Sequence, residues 1–265
     1  MKKVIDCLLL LLVFAPMAGA FPVFSLRRHS REARDRYIQL APGAELALAL
    51  ALAALARAPY VTVYLPGVCG MGLAFTGGGL RTVLCVLTAF LWLMTALNCP
   101  EYFASAERGN RFYFFWLLTL GAMMGVFLAA DLFTLFVFFE IMSFTSYVWV
   151  AQNETEEALR AGQTYLAIAV FGGMVLLVGL FLLYRSAGTL HLATLPAAVE
   201  ALDAREAGLA RLAGWCCLVG FGAKAGMRTS PPAPTGGTAL AAAKRNTSQA
   251  KSCPGSTAST LGRAS

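Results

Sequence analysis

Charged side chains are scarce in this chain of 265 residues, since Asp, Glu, Lys and Arg together make up 13% of it against 58% hydrophobic residues. Such a composition excludes an ordinary soluble domain and is typical of a membrane protein with several spans. The formal net charge of +7 does not indicate nucleic-acid binding, because five of the basic residues lie after Met227. The rest of the chain is nearly balanced, and we expect no nucleic-acid partner.

Histidine and paired cysteines are also scarce. Only His29 and His191 are present, both in polar connections, so a haem held by two histidines inside the membrane is excluded for this chain. The seven cysteines form no CxxC motif and no cluster with histidine, which indicates small buried apolar side chains. The sequence therefore predicts no metal site, no cofactor and no redox centre in this chain.

Long apolar runs, by contrast, are frequent, and they predict an all-α polytopic membrane protein with about seven transmembrane helices. The predicted spans are Val4–Phe24, Ile38–Ala58, Leu80–Leu97, Phe112–Ala130, Asp131–Val150, Gly162–Tyr184 and Leu209–Met227. Between the second and third spans, residues 60–80 are rich in glycine and β-branched residues. They are predicted to form a short extended excursion at the membrane surface.

The first apolar segment has two interpretations. Lys2 and Lys3, a leucine run and a small-residue Ala-Gly-Ala stretch resemble a cleavable signal peptide. However, five arginines follow within a short distance, and such a cluster favours a cytoplasmic loop. These residues are Arg27, Arg28, Arg31, Arg34 and Arg36. We favour a retained first span with its N-terminus outside, an orientation that places Gln152–Ala161 in the cytoplasm.

One almost uncharged run, Phe112–Ala151, contains a single glutamate, Glu140. As one straight helix, about forty residues would be about 60 Å long, whereas the hydrocarbon core is about 30 Å thick. The run is therefore predicted to form two antiparallel spans, with a break at Asp131, which would cap the second helix. Glu140 then lies near the bilayer midplane. A carboxylate there is costly unless it is paired or protonated, so Glu140 is a candidate functional residue.

Lys224 is the other deep charge, in the sequence LVGFGAKAGM. Its neighbours Gly220, Gly222 and Gly226 predict close approach of another helix and local unwinding. We predict a buried ion pair with Glu140. Burial disfavours the charged form of each residue and pairing favours it, so the two protonation equilibria would be coupled, as a proton path requires. A static pair that only fixes helix packing is the alternative.

Several side chains are predicted to share the helical face of Glu140. Ser143 and Tyr147 are expected to hydrogen-bond the carboxylate or to hold water, and Phe133 and Phe136 to exclude lipid. Ordinary packing within the span is the alternative for each of them.

Three stretches of the chain are DLFTLFVFFEIMSFTSYVWVA, EEALRAGQTYLAIAVFGGM and GFGAKAGM. They resemble the antiporter-like proton-translocating membrane subunits of respiratory complex I and their relatives, and the resemblance covers about Gly70–Met227. These relatives are the Mrp-type cation/proton antiporters and the membrane subunits of energy-converting hydrogenases. In such proteins a fifth-span glutamate and a seventh-span lysine form the proton-handling pair. By residue match these are Glu140 and Lys224, with Asp131 a lesser candidate that capping explains.

The resemblance implies the first half of an antiporter-like inverted-repeat fold in the inner or plasma membrane. It implies proton translocation, with or without exchange for Na⁺, alongside other membrane subunits and within a lipid bilayer. The chain would be a proton-pumping subunit of a complex I, Mrp or hydrogenase-type assembly. Two other classes stay open from the residues alone. One is an unrelated secondary transporter for a small solute, and the other is a membrane assembly subunit that transports nothing.

The resemblance stops after Met227. The family continues there with Pro-Leu-His-x-Trp-Leu-Pro-x-Ala-His, whereas residues 228–265 contain no aromatic residue, Val, Ile or Met and are predicted to be disordered. We expect a frameshift or a truncated coding sequence past Met227, which translation of the other two frames would test. The predicted organisation is N-terminal helices and loops in 1–111, a partial antiporter-like domain in 112–227, and a tail in 228–265.

Overall fold

The computed structural model describes residues 2–26, 31–55, 62–68, 70–102 and 109–226. The predicted disorder of residues 228–265, and the coding error that we expect there, lie outside the described residues. The described part is mostly helical. Its helices are α1 (Lys2–Gly19), α2 (Pro22–Leu26), α3 (Arg31–Leu55), α4 (Leu80–Tyr102), α5 (Gly109–Leu128), α6 (Leu132–Val150), α7 (Glu156–Ala187), α8 (Leu195–Glu200) and α9 (Ala204–Lys224).

Five of these helices are long and apolar enough to cross a membrane, namely α3 from Glu32, α4 to Asn98, α5, α6 and α7. The predicted first and seventh spans correspond to α1 and α9, which have 18 and 21 residues but fall outside this group. Charged side chains in the first turns of both helices lower their apolar character. The predicted sixth span begins earlier than expected, because Thr155 caps α7 by accepting a hydrogen bond from the backbone N–H of Ala158 (3.2 Å).

The excursion between the second and third spans is a β-hairpin, so the prediction of extended structure is confirmed. Strand β1 (Thr62–Leu65) pairs antiparallel with β2 (Leu73–Thr76), and Thr62 lies opposite Thr76. All of β2 is buried. The backbone N–H of Ala130 donates to the carbonyl of Ala74 (2.8 Å), which ties the hairpin to the connection between α5 and α6.

The predicted break within the long apolar run is also confirmed. Helix α5 ends at Leu128, and α6 begins at Leu132 with Asp131 as its N-cap. One carboxylate oxygen of Asp131 accepts from the backbone N–H of Thr134 (2.7 Å), and the other accepts from its hydroxyl (2.8 Å). The same hydroxyl accepts from the backbone N–H of Ala74 (2.8 Å). These hydrogen bonds provide an acceptor for a free backbone N–H in the first turn of α6. They also fix the start of α6 to strand β2 of the hairpin.

The main core joins α1, α3, α4, α5, α6 and β2. The rings of Phe75 and Phe138 meet edge to face with centroids 5.5 Å apart, and Phe14 of α1 packs on both. Leu12 and Leu120 are fully buried in the same cluster. The core thus draws on residues from both sides of position 111, and the domain boundary there stays a prediction.

Helices α7 and α9 approach closely through glycines. A β-carbon on Gly220 would lie 2.6 Å from Cβ of Leu176 and 2.8 Å from the carbonyl oxygen of Gly172, so a larger residue does not fit there. The unwinding that we predicted at Gly220 and Gly222 is wrong, because α9 is continuous to Lys224. Packing against α7 uses these glycines for close contact. Of these three predicted glycines, Gly226 lies beyond the helix end and takes a left-handed φ of 81°.

Candidate functional site

Glu140 and Lys224, 84 positions apart in sequence, are in direct contact. Lys224 Nζ donates to Oε1 of Glu140 at 2.5 Å and to Oγ of Ser143 at 3.0 Å. The side chain of Glu140 is 18% exposed and that of Lys224 is 4% exposed. Glu140 stands in the middle of α6 and Lys224 at the last residue of α9. The structure thus places the two predicted residues as a largely buried ion pair between these helices.

Helix α7 brings the two partners together through a pair of glycines. A β-carbon on Gly173 would lie 2.8 Å from Cδ of Glu140 and 2.9 Å from its Oε2. A β-carbon on Gly172 would lie 2.9 Å from Cβ of Ala223 in α9. Sequence reasoning missed both residues, although they stand as FGGM in one of the three family-like stretches. Without side chains at these two positions, α6 and α9 can converge across α7.

An aromatic ring completes the surroundings of the lysine. Lys224 Nζ lies 4.6 Å from the ring centroid of Phe139, which in turn packs on Phe221 with centroids 5.5 Å apart. A ring face in this position attracts an ammonium group. We had expected Phe133 and Phe136 to line the site instead. Phe133 packs into the main core, because α9 approaches the side of α6 that carries Phe139 and Ser143.

The polar side chains near the pair are arranged differently from the prediction. The hydroxyl of Ser143 donates to the carbonyl of Phe139 (2.8 Å) and accepts from Lys224, so it contacts the lysine and not the carboxylate. Tyr147 packs on α7, where a β-carbon on Gly162 would lie 2.9 Å from its Cε2. The expected hydrogen bond from Tyr147 to Glu140 does not form in the described part of the chain.

A small cavity adjoins the pair between α6 and α7. It has a volume of about 310 Å³, and Ser143, Tyr165 and Lys224 contribute polar atoms to its lining. The hydroxyl of Tyr165 lies 2.7 Å from that of Ser146, one turn of α6 beyond Ser143. Sequence reasoning did not select Ser146 and Tyr165, since hydroxyls on two different helices show their pairing only when the helices pack. The hydroxyls give the pair a polar side directed towards the α6–α7 connection.

Asp131 stands apart from the ion pair, at the start of α6, and its oxygens serve the helix cap. We predict that Asp131→Ala lowers the stability of the protein by about 1 kcal/mol, because the N–H of Thr134 loses its acceptor. Asp131→Asn should be nearly neutral, since asparagine caps helices as well as aspartate does. Thermal unfolding in detergent measures both. Equal loss of transport in both variants would instead indicate that Asp131 carries a proton.

Within the described ranges, no three His, Cys, Asp or Glu side chains are grouped so that they could hold a metal ion. The polar groups at the site are a carboxylate, an ammonium group and hydroxyls. The first two bind and release protons, and hydroxyls can both donate and accept hydrogen bonds.

Comparison with known proteins places the site in a family context. Residues 129–229, which contain Glu140 and Lys224, match the family model described as NADH:quinone oxidoreductase/Mrp antiporter, TM. A protein named as antiporter subunit mnhD2 from Staphylococcus haemolyticus is 28% identical over 224 residues, which are 83% of this chain and 44% of that protein. A Na(+)/H(+) antiporter subunit from Alkalihalophilus pseudofirmus is 30% identical over 156 residues, 59% of this chain and 31% of that protein. The chain thus spans less than half the length of these relatives.

Two solved structures share the fold at 21% sequence identity. The Mrp complex from Dietzia sp. DQ12-45-1b contains a chain that matches with a TM-score of 0.65 over 83% of this chain and 40% of its own length. Respiratory complex I from Thermus thermophilus contains a chain that matches with a TM-score of 0.64, over 79% of this chain and 43% of its own length. These similarities confirm the predicted fold class. The family match at residues 129–229 and the five apolar helices support the predicted location, a multi-pass protein of the cell membrane.

Proposed function

We propose that this chain belongs to the NADH:quinone oxidoreductase/Mrp antiporter family, whose model matches residues 129–229, and that it translocates protons across the membrane as an antiporter-like subunit. Glu140 is the residue that binds and releases the proton, and Lys224 is its partner. The observation that carries this proposal is the 2.5 Å contact between Lys224 Nζ and Glu140 Oε1. It joins α6 to α9 in the middle of a helix long enough to span the bilayer.

The surroundings of Lys224 suit a reversible pair. While Glu140 is ionised, the ammonium group has the carboxylate, the Ser143 hydroxyl and the ring of Phe139 as partners. When Glu140 takes up a proton, the charge–charge attraction ends, but the hydroxyl and the ring still hold the ammonium group. The lysine is therefore never left without partners in a medium of low dielectric constant, where an isolated charge would be very costly. Proton uptake and release thus change one contact of three.

The polar side of the pair offers a route for the proton. Ser143, and then the Ser146–Tyr165 hydroxyl pair, extend from Lys224 along α6 towards Gln152, which follows the end of that helix. The cavity beside Ser143 has room for water molecules, which would complete a chain of hydrogen bonds. Towards the hairpin, the rings of Phe75 and Phe138 pack against each other and, among the described residues, leave no comparable row of hydroxyls. We propose that protons reach the site from the α6–α7 side.

The ions and partners of the whole protein follow from the same proposal. Na⁺ is the counter-ion to test first, because one relative is named a Na(+)/H(+) antiporter subunit. Other membrane subunits are the proposed partners, since a solved relative lies in the Mrp complex. The aromatic and aliphatic side chains on the outer faces of α4 and α7 are suited to contact with lipid or with such subunits.

Proton movement in proteoliposomes tests the proposal. An intact homologous chain, together with its co-purifying subunits, is reconstituted with a pH-sensitive dye inside the vesicles. We expect a sodium gradient to drive a change of internal pH. Uptake of a small solute without any pH change would instead favour the unrelated transporter. Stable co-purification with no ion movement at all would favour the assembly subunit.

A further inference from the structure

A second deeply buried carboxyl group lies far from the ion pair in sequence. Glu45 stands on α3, inside the segment Glu32–Leu55 that is long and apolar enough to span the membrane. The residue is only 3% exposed. Its Oε1 is buried and has no hydrogen-bond partner among the described residues.

Among the described residues, the side chains around Glu45 offer no positive charge. On its own helix, Ala49 and Leu52 follow at the next two turns and are fully buried in the main core. On α4, which packs against α3, Cys85 is fully buried in the same cluster as Ala49 and Leu52. The guanidinium group of Arg81, one turn before Cys85, donates to the carbonyl oxygen of Ala129. The neighbourhood is therefore apolar, apart from one thiol.

The charged groups of α1 and of the start of α3 lie at a distance along the helices. Tyr37 donates its hydroxyl to the carbonyl of Gly19 (2.6 Å), so α1 runs back along α3 from this point. Glu45 is eight residues, or about 12 Å, beyond Tyr37, opposite the middle of α1. Lys2, Lys3 and Asp6 stand at the far end of α1. At the start of α3, Arg34 donates to Asp35 and Asn110, and Arg36 pairs with Glu32.

We propose that Glu45 is a proton-binding site separate from the Glu140–Lys224 pair, and that it holds its carboxyl group in the protonated, neutral form. An ionised carboxylate without a counter-ion in this position would carry a large desolvation cost, and a bound proton removes that cost. Glu140 meets the same problem differently, because the ammonium group of Lys224 compensates its charge. A bound metal cation would require several oxygen ligands, whereas the neighbours named above are carbon and sulfur. This inference does not rest on the proposed function.

Infrared spectroscopy of the purified chain in lipid tests the protonation state directly. At neutral pH we expect the carbonyl stretching band of a protonated carboxylic acid. Glu45→Gln should remove this band, and the matched variant Glu140→Gln should leave it in place. Glutamine has the shape of the neutral acid, so the variant is expected to keep the fold. A band that survives Glu45→Gln, or one that arises only in acid, would overturn the proposal.

A chemical probe gives a second result that needs no variant. Dicyclohexylcarbodiimide is apolar and adds to protonated carboxyl groups, and the modified residue is identified by mass spectrometry of peptides. In the native chain we expect an adduct on Glu45 and none above background on Glu140. Modification of Glu140 alone would reverse the two assignments and contradict the proposal.

Discussion

Replacing Glu140 by glutamine, or the matching glutamate in an intact homologous chain, is expected to lower proton-coupled transport by about 10²-fold or more while membrane insertion is retained. Glutamine has nearly the shape of glutamate and keeps an oxygen that accepts from Lys224, so the helices still pack. However, an amide neither binds nor releases a proton in the physiological range. The measurement is the initial rate of pH change in proteoliposomes, normalised to the inserted protein.

Two controls make this result specific. Glu140→Asp keeps a carboxylate on a shorter side chain, so it should retain part of the rate. Glu156→Gln makes the same chemical change at an exposed position, where Glu156 lies 3.9 Å from Arg160, and should leave transport unchanged. Normal proton uptake by Glu140→Gln would contradict the role of Glu140 as the proton site. It would favour the alternative of a static ion pair.

Lys224→Met is expected to destabilise the protein by about 3–5 kcal/mol, because it leaves the carboxylate of Glu140 buried without its counter-ion. The double variant Glu140→Gln/Lys224→Met should recover most of this loss, since it removes both charges together. The measurement is the midpoint of thermal or denaturant unfolding in detergent for the native chain, both single variants and the double variant. We expect the double variant to recover most of the stability but not to transport protons.

The exposed pair of Glu156 and Arg160 provides the reference for this cycle. Their side chains are 90% and 82% exposed, so Arg160→Met should change the stability by less than about 1 kcal/mol. Equal stabilities of Lys224→Met and the native chain would indicate that the pair is not formed in the membrane. A double variant that transports protons normally would show that the two charges serve packing alone.

Much of the fold follows from local properties of the sequence. The break before α6 is predictable because a run of about forty apolar residues is too long for one crossing of a bilayer. Asp131 is predictable as the cap because its side chain competes for backbone N–H groups where a helix begins. The hairpin is predictable because glycines and β-branched residues disfavour a helix between the second and third spans. Each of these features depends on residues that are near one another in the chain.

The details of the site were less predictable. Ser143, expected to hydrogen-bond the carboxylate or to hold water, accepts from Lys224, and the ring beside the lysine is that of Phe139, which sequence reasoning did not select. Both differences arise because the side of α6 that α9 approaches depends on how three helices pack. A helical wheel of α6 alone does not contain that information. The contribution of Gly173 was missed for the same reason.

The sequence by itself determined that a glutamate lies in the middle of an apolar span and that a lysine follows in a glycine-rich helix, because hydrophobicity and span length are properties of single segments. Only the tertiary structure decided that the two meet, because their contact requires α7 to present glycines at positions 172 and 173. It also decided that Glu45 faces inward, since burial depends on the neighbouring helices and not on the residue itself. Whether a buried carboxyl group in a membrane protein is ionised depends on whether packing brings a positively charged partner to it. Glu140 has such a partner in Lys224, and Glu45 has none among the described residues.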